Sequence, residues 1–106
     1  MQLNHKLIVV IVAKGRATRV LGTCRECGAE GGTVLPATGT GRTDKRFLGI
    51  QFDKDREVVL ILVPHDRAQA VMQTAREAAE LGKPGRGVAF IVDAAAAVGI
   101  AHLAST

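Results

Sequence analysis

Leu81-Gly82-Lys83-Pro84-Gly85-Arg86-Gly87-Val88-Ala89-Phe90-Ile91-Val92 is the stretch where a helix stops, a basic glycine loop follows and a strand begins. Glycine tolerates positive φ and carries no Cβ, so three glycines among Lys83 and Arg86 can wrap backbone N–H groups and two cations around a small anion. The same letters also spell an ordinary helix stop, with Gly82 closing the helix, Pro84 barring its continuation and residues 85–87 forming a turn. Taken alone, the loop leaves both readings open. Before it, Ala68, Val71, Met72, Ala75 and Ala79 recur at helical spacing, which predicts a helix over about 67–81 with His65-Asp66 capping its start. Before that helix, residues 57–63 are a continuous apolar strand stopped by Pro64, so the second half of the chain reads β-α-β.

The first half repeats that order. Residues 7–13 form a β-branched run, expected as a central strand buried on both faces. After the Lys14-Gly15 break, Ala17, Val20, Leu21, Cys24 and Cys27 lie at helical spacing up to Gly28, with Gly22 weakening the helix. Gly31-Gly32 opens a strand over 33–38, and Pro36 inside it assigns that strand to a sheet edge or a bulge. A polar, basic loop follows, then a short alternating strand over 47–52 and a turn over 53–56. Two β-α-β halves imply an α+β class and a ferredoxin-like βαββαβ sandwich, an antiparallel sheet with both helices on one face. The open face of so small a sheet needs cover, which self-association supplies most simply.

Composition sets the outer bounds. With 106 residues, the chain is expected to be one domain over 1–106, burying very roughly 65% of its unfolded surface. Apolar residues make up 47% and charged residues 23%, which is globular composition. There are only three Phe and no Trp or Tyr, so the core is aliphatic. A net charge of +4 permits an anionic partner, and the cations gather in connections: Lys14, Arg16 and Arg19; Arg42, Lys45 and Arg46; Lys83 and Arg86. The start of the chain has no basic region followed by a cleavage site, and the first apolar run is too short to span a membrane. A cytoplasmic protein without membrane insertion is expected.

Together the order of elements, Gly31-Gly32-Thr33-Val34, Gly39-Thr40-Gly41-Arg42, the Leu60-to-Pro64 strand end and the residue 82–87 loop resemble the PII signal-transduction proteins over nearly the whole chain. The resemblance implies a homotrimer with an adenine nucleotide in each cleft between neighbours, and an exposed T-loop that carries ligand status to a target protein. It places the phosphate-cradling B-loop on Lys83, Pro84, Gly85, Arg86 and Gly87, followed by Val88. The T-loop base falls on Gly39, Thr40, Gly41 and Arg42, and its partner-facing part on Thr43, Asp44, Lys45 and Arg46. The adenine-side wall falls on Gly31, Gly32 and Thr33 with the strand that includes Leu62 and Val63.

The chain also departs from that pattern. Val88 replaces a phosphate-binding lysine, and two arginine positions hold Gly99 and Ala101. Each charge-assisted phosphate contact is worth about 1.5–3 kcal/mol, so ADP or AMP is expected ahead of ATP. The glutamine that holds 2-oxoglutarate and its metal falls on Thr43, while a matching lysine position keeps a cation in Arg56. The T-loop is several residues shorter, and without tyrosine uridylylation is excluded. The pattern resembles offshoots of the family that regulate transporters or inorganic-carbon uptake.

Other chemistry finds less support in the residues. Cys24-Arg25-Glu26-Cys27 lies near a helix C-terminus, where no dipole lowers a thiol pKa, and lacks the partners of a structural zinc. It reads as two packed thiols, with a redox-responsive pair as the alternative. His5, His65 and His102 are far apart, so no metal is expected. Acylphosphatase chemistry needs an asparagine, and the single Asn4 precedes the first strand; the single Ser105 lies in the tail and offers no nucleophile. RNA binding on such a sheet uses stacked aromatics, and residues 7–13 contain none. The expected protein is a non-enzymatic nucleotide sensor. A CutA-like trimeric scaffold or metal-binding protein is the alternative.

Overall fold

In the structure, a computed structural model, residues 4–29, 31–38 and 55–96 are described. The elements run β1 (His5–Ala13), α1 (Ala17–Glu26), β2 (Thr33–Thr38), β3 (Asp55–Pro64), a single 3₁₀ turn (His65–Arg67), α2 (Ala68–Ala78) and β4 (Gly87–Ala94). The four strands form one sheet in the order β2-β3-β1-β4, and every neighbouring pair is antiparallel. This is the α+β, ferredoxin-like arrangement. The strand expected over 47–52 lies outside the described residues.

Period-two alternation divides the sheet into two faces. Ile8, Val10 and Val12 of β1 and Val59, Ile61 and Val63 of β3 are buried beneath Ala17, Val20 and Cys24 of α1 and Ala68, Val71 and Ala75 of α2. Burying each of these Val and Ile side chains contributes about 1.5–3 kcal/mol, which explains how so small a chain dispenses with Trp and Tyr. The other face carries Leu7, Val9 and Ile11 with Val58, Leu60 and Leu62 and the register-matched Val88, Phe90 and Val92. Among the described residues, helices cover only the first of these faces and leave the other open. The expectation that β1 is buried on both faces holds for Val9, while Leu7 and Ile11 are half-buried on the side away from the helices.

Helix ends differ from expectation in an instructive way. α1 closes with Gly28 at φ 119, its N–H donating to the Arg25 carbonyl at 3.2 Å and the Ala29 N–H to the Cys24 carbonyl at 3.1 Å. α2 makes the same two bonds, Glu80 N–H to Glu77 at 3.2 Å and Leu81 N–H to Arg76 at 3.0 Å, with Glu80 at φ 55 in the left-handed position. This is a Schellman closure. It ends the helix before the expected Leu81, and Glu80, not Gly82, is the closing residue. At the other end, residues 65–67 form a 3₁₀ turn and no side chain caps α2, so His65-Asp66 is not the cap its sequence suggests.

Candidate functional site

Register brings the polar connections to one end of the sheet. Ala13 pairs with Arg56, Val12 with Gly87 and Thr38 with Asp55, so β1 and β2 finish where β3 and β4 begin. The β1–α1 turn and the α2–β4 loop therefore sit at the end where the chain leaves β2 and returns in β3. A cleft of about 410 Å³ lies here, lined by Lys14, Pro36, Ala37, Thr38, Asp55, Arg56 and Glu57.

The α2–β4 loop is a tight polar turn. Lys83 N–H donates to the Glu80 carbonyl at 3.0 Å, Arg86 N–H reaches the Lys83 carbonyl at 3.4 Å, and Gly85 takes φ 78. Pro84 is exposed, Arg86 half-buried and Val88 half exposed at the start of β4. Gly87 has a structural reason of its own. A Cβ there would stand 2.1 Å from the Ile11 carbonyl oxygen, so β4 can pair closely with β1 only if residue 87 has no side chain.

Charge at this end is organised around Glu80. One of its carboxylate oxygens accepts from Lys83 Nζ at 2.5 Å, and the other lies 3.6 Å from Arg16 Nη1 in the β1–α1 turn. The Lys83 hydrogen bond and charge, then Arg86 and Arg16, hold the Glu80 carboxyl below its usual value. The β1–α1 turn is itself clamped from β3, where Glu57 Oε1 accepts from Gly15 N–H at 2.8 Å and from Ala17 N–H at 3.2 Å. This carboxylate thus satisfies the first N–H of α1 and one N–H of the turn before it. Neither Arg16, Glu80 nor Glu57 is singled out by sequence spacing. The clustering of Arg16 with the other cations of the connections is the one signal that pointed toward it.

The residues assigned to the adenine-side wall lie elsewhere. Thr33 pairs with Leu60, and a Cβ on Gly32 would stand 2.7 Å from the Leu60 carbonyl oxygen, so Gly32 also permits a close backbone crossing. Gly31 is half-buried and its Cβ position is open. Leu62 and Val63 point to opposite faces: Leu62 toward the open face, Val63 into the core at 1% exposure. Val63 is thus closed off in this chain, main chain included, and Leu62 is the half-buried member of the wall. Gly39, Thr40, Gly41, Arg42, Thr43, Asp44, Lys45 and Arg46 lie outside the described residues, as do Gly99 and Ala101.

Cys24 is buried and Cys27 half-buried, both as free thiols whose Sγ atoms approach the α2 carbonyls of Val71 at 3.8 Å and Ala70 at 3.6 Å. Burial, with the neighbouring Cys27, pushes the Cys24 thiol up to about 11. A thiol so placed packs one helix against the other and is a poor nucleophile at neutral pH. Among the described residues no group of three or more His, Cys, Asp or Glu side chains is placed to hold a metal ion, and no helix is long and apolar enough to cross a membrane.

A ferredoxin-like sheet with a cationic glycine loop at the end where β2 leaves the sheet and β3 returns to it defines a small α+β domain. The family model for nitrogen regulatory protein P-II matches residues 5–102, and the chain belongs to that family. Among solved structures it is similar to Arabidopsis thaliana PII bound to citrate, with TM-score 0.67 and 24% identity over 88% of this chain and 77% of that one. It is also similar to B. subtilis GlnK, with TM-score 0.67 and 16% identity over 87% of this chain and 86% of the other. A search of the curated proteins found no match.

Proposed function

We propose that this chain is a non-enzymatic cytoplasmic sensor that binds an adenine nucleotide, ADP or AMP ahead of ATP, between the subunits of a homotrimer. It signals to a target protein, a transporter or an enzyme of nitrogen or inorganic-carbon regulation, through the short loop that carries Arg42 and Arg46. The observation that carries this reading is the position of Lys83 and Arg86, on a glycine turn at the sheet end from which that loop departs. Bound phosphates there favour one arrangement of the loop, and their loss favours another, so the signal is a shift of population.

Spacing along the strands supports a shared site. Val12 opposite Gly87 marks the loop end of β1, and Lys6 opposite Val63 lies six residues away, about 20 Å at ~3.3 Å per residue. One protomer thus keeps its cationic loop and its Leu62–Val63 wall too far apart to grip one nucleotide. Two neighbours that each lend one end resolve the difficulty. The family match favours the nucleotide reading over the CutA-like scaffold or metal-binding alternative.

Calorimetric titration with ADP, AMP, ATP and divalent metals is the test, with citrate as a second anion because the Arabidopsis relative is a citrate complex. Heat is expected from ADP and AMP; heat from metal alone would overturn the reading. Arg86→Ala should cost nucleotide binding at least about 1.5 kcal/mol while the assembly stays intact.

A further inference from the structure

We propose that Arg16, from the β1–α1 turn, belongs to the phosphate-holding site, and that Glu80 is a built-in counter-ion which an incoming phosphate group must displace. The inference rests on reading residues 83–87 as the anion site and says how that site is kept when empty.

Three observations carry it. Glu80 spends one carboxylate oxygen on Lys83 and the other on Arg16, so a single side chain joins the cationic loop to a turn of the opposite half of the fold. Arg86 also acts on that carboxyl, so the cations of the α2–β4 loop and of the β1–α1 turn converge on one exposed side chain that a phosphate group can replace. Finally, Glu80 stands at φ 55, where glycine is the better residue, and its ion pairs are too exposed to offset much of that cost. Strain retained at a charged loop points to a role in binding and away from one in stability. Arg16 would also supply a cation that Val88, at the start of β4, does not. Because Glu57 already holds the Gly15 and Ala17 N–H groups, what the turn offers a phosphate is the Arg16 guanidinium, with its planar pair of donors.

The test is calorimetry on the full chain with ADP and with inorganic pyrophosphate, comparing wild type, Glu80→Gln, Arg16→Ala, Arg16→Lys and the double variant Arg16→Ala with Glu80→Gln. Glu80→Gln keeps shape and exposure, and should bind both probes about fivefold more tightly. Arg16→Ala should weaken binding, more so in the Glu80→Gln background where Arg16 is no longer engaged, and Arg16→Lys should recover part of the loss. ADP binding that Glu80→Gln leaves unchanged or weaker overturns the inference while the nucleotide reading stands. Equal losses from Arg16→Ala in both backgrounds also overturn it. Pyrophosphate binding with the expected Glu80 effect but no ADP binding leaves the inference standing and removes the nucleotide reading. Absence of binding by either probe to every variant removes both.

Discussion

Glu80 and Gly28 close equivalent helix ends with the same pair of backbone bonds, yet only one of them is glycine. A left-handed conformation costs an L-residue about 1–2 kcal/mol, so Glu80→Gly should raise stability by about 1 kcal/mol, a melting temperature several degrees higher by scanning calorimetry. A lower melting temperature would mean that the Lys83 and Arg16 pairs outweigh the backbone cost. Lys83 holds the Glu80 carboxyl low, as Lys6 does for Asp93, so both groups give their stabilisation above the ordinary carboxyl range and lose it as pH falls through their depressed values. Cys24 has the opposite sign. Its thiol titrates at about 11 in the folded chain against an ordinary 9.0, so the unfolded chain ionises first and stability falls as pH rises through that interval. At pH 8 its thiolate is about a hundredfold scarcer than that of an ordinary thiol. Iodoacetamide should therefore modify half-buried Cys27 first and Cys24 only on unfolding, as peptide mass spectrometry would read. Equal rates at the two positions would contradict the packing described for α1 on α2.

At the level of elements, β1 carries the fold because it pairs on both sides and supplies Ile8, Val10 and Val12 to the core. Ile61→Ala, on the neighbouring strand and fully buried, should cost about 2–5 kcal/mol in denaturant unfolding. Gly87→Ala meets a carbonyl oxygen instead of empty space, and should cost more than about 2 kcal/mol or unpair the start of β4, seen as lost amide protection at residues 87–89. The strand over 33–38 was legible with its bounds because Gly31-Gly32 and Pro36 punctuate it, and Pro36 correctly placed it at an edge. The helical faces were legible from spacing, since burial of Ala68, Val71 and Ala75 needs only a period of 3.6. The end of α2 was not, because Glu80 is a poor residue for a left-handed position and the pairing that accompanies it is tertiary. The α1 cap was hidden for a similar reason: its carboxylate, Glu57, comes from β3, 40 residues beyond Ala17. The cationic loop of the site was visible as composition, but its link to Arg16 exists only after folding.

Across the whole molecule, one feature of the sheet bears on the proposed trimer. On the open face Val88, Phe90 and Val92 are 50%, 43% and 42% exposed beside the aliphatic rows of β1 and β3, an apolar surface that water does not favour. A trimer built on this face fits the proposed shared clefts, and Phe90→Glu should break it, with light scattering reporting the mass of a single chain and nucleotide binding lost together with it. A variant that stays trimeric would move the interface to another surface. The rim of the sheet behaves differently from its face. β2 forms one rim, β4 the other, and Pro36, exposed near the middle of β2, offers no main-chain donor to a newcomer. A foreign strand laid alongside would meet a missing rung, so crowded chains should resist seeding of amyloid growth from that border even while their flat surfaces attract one another.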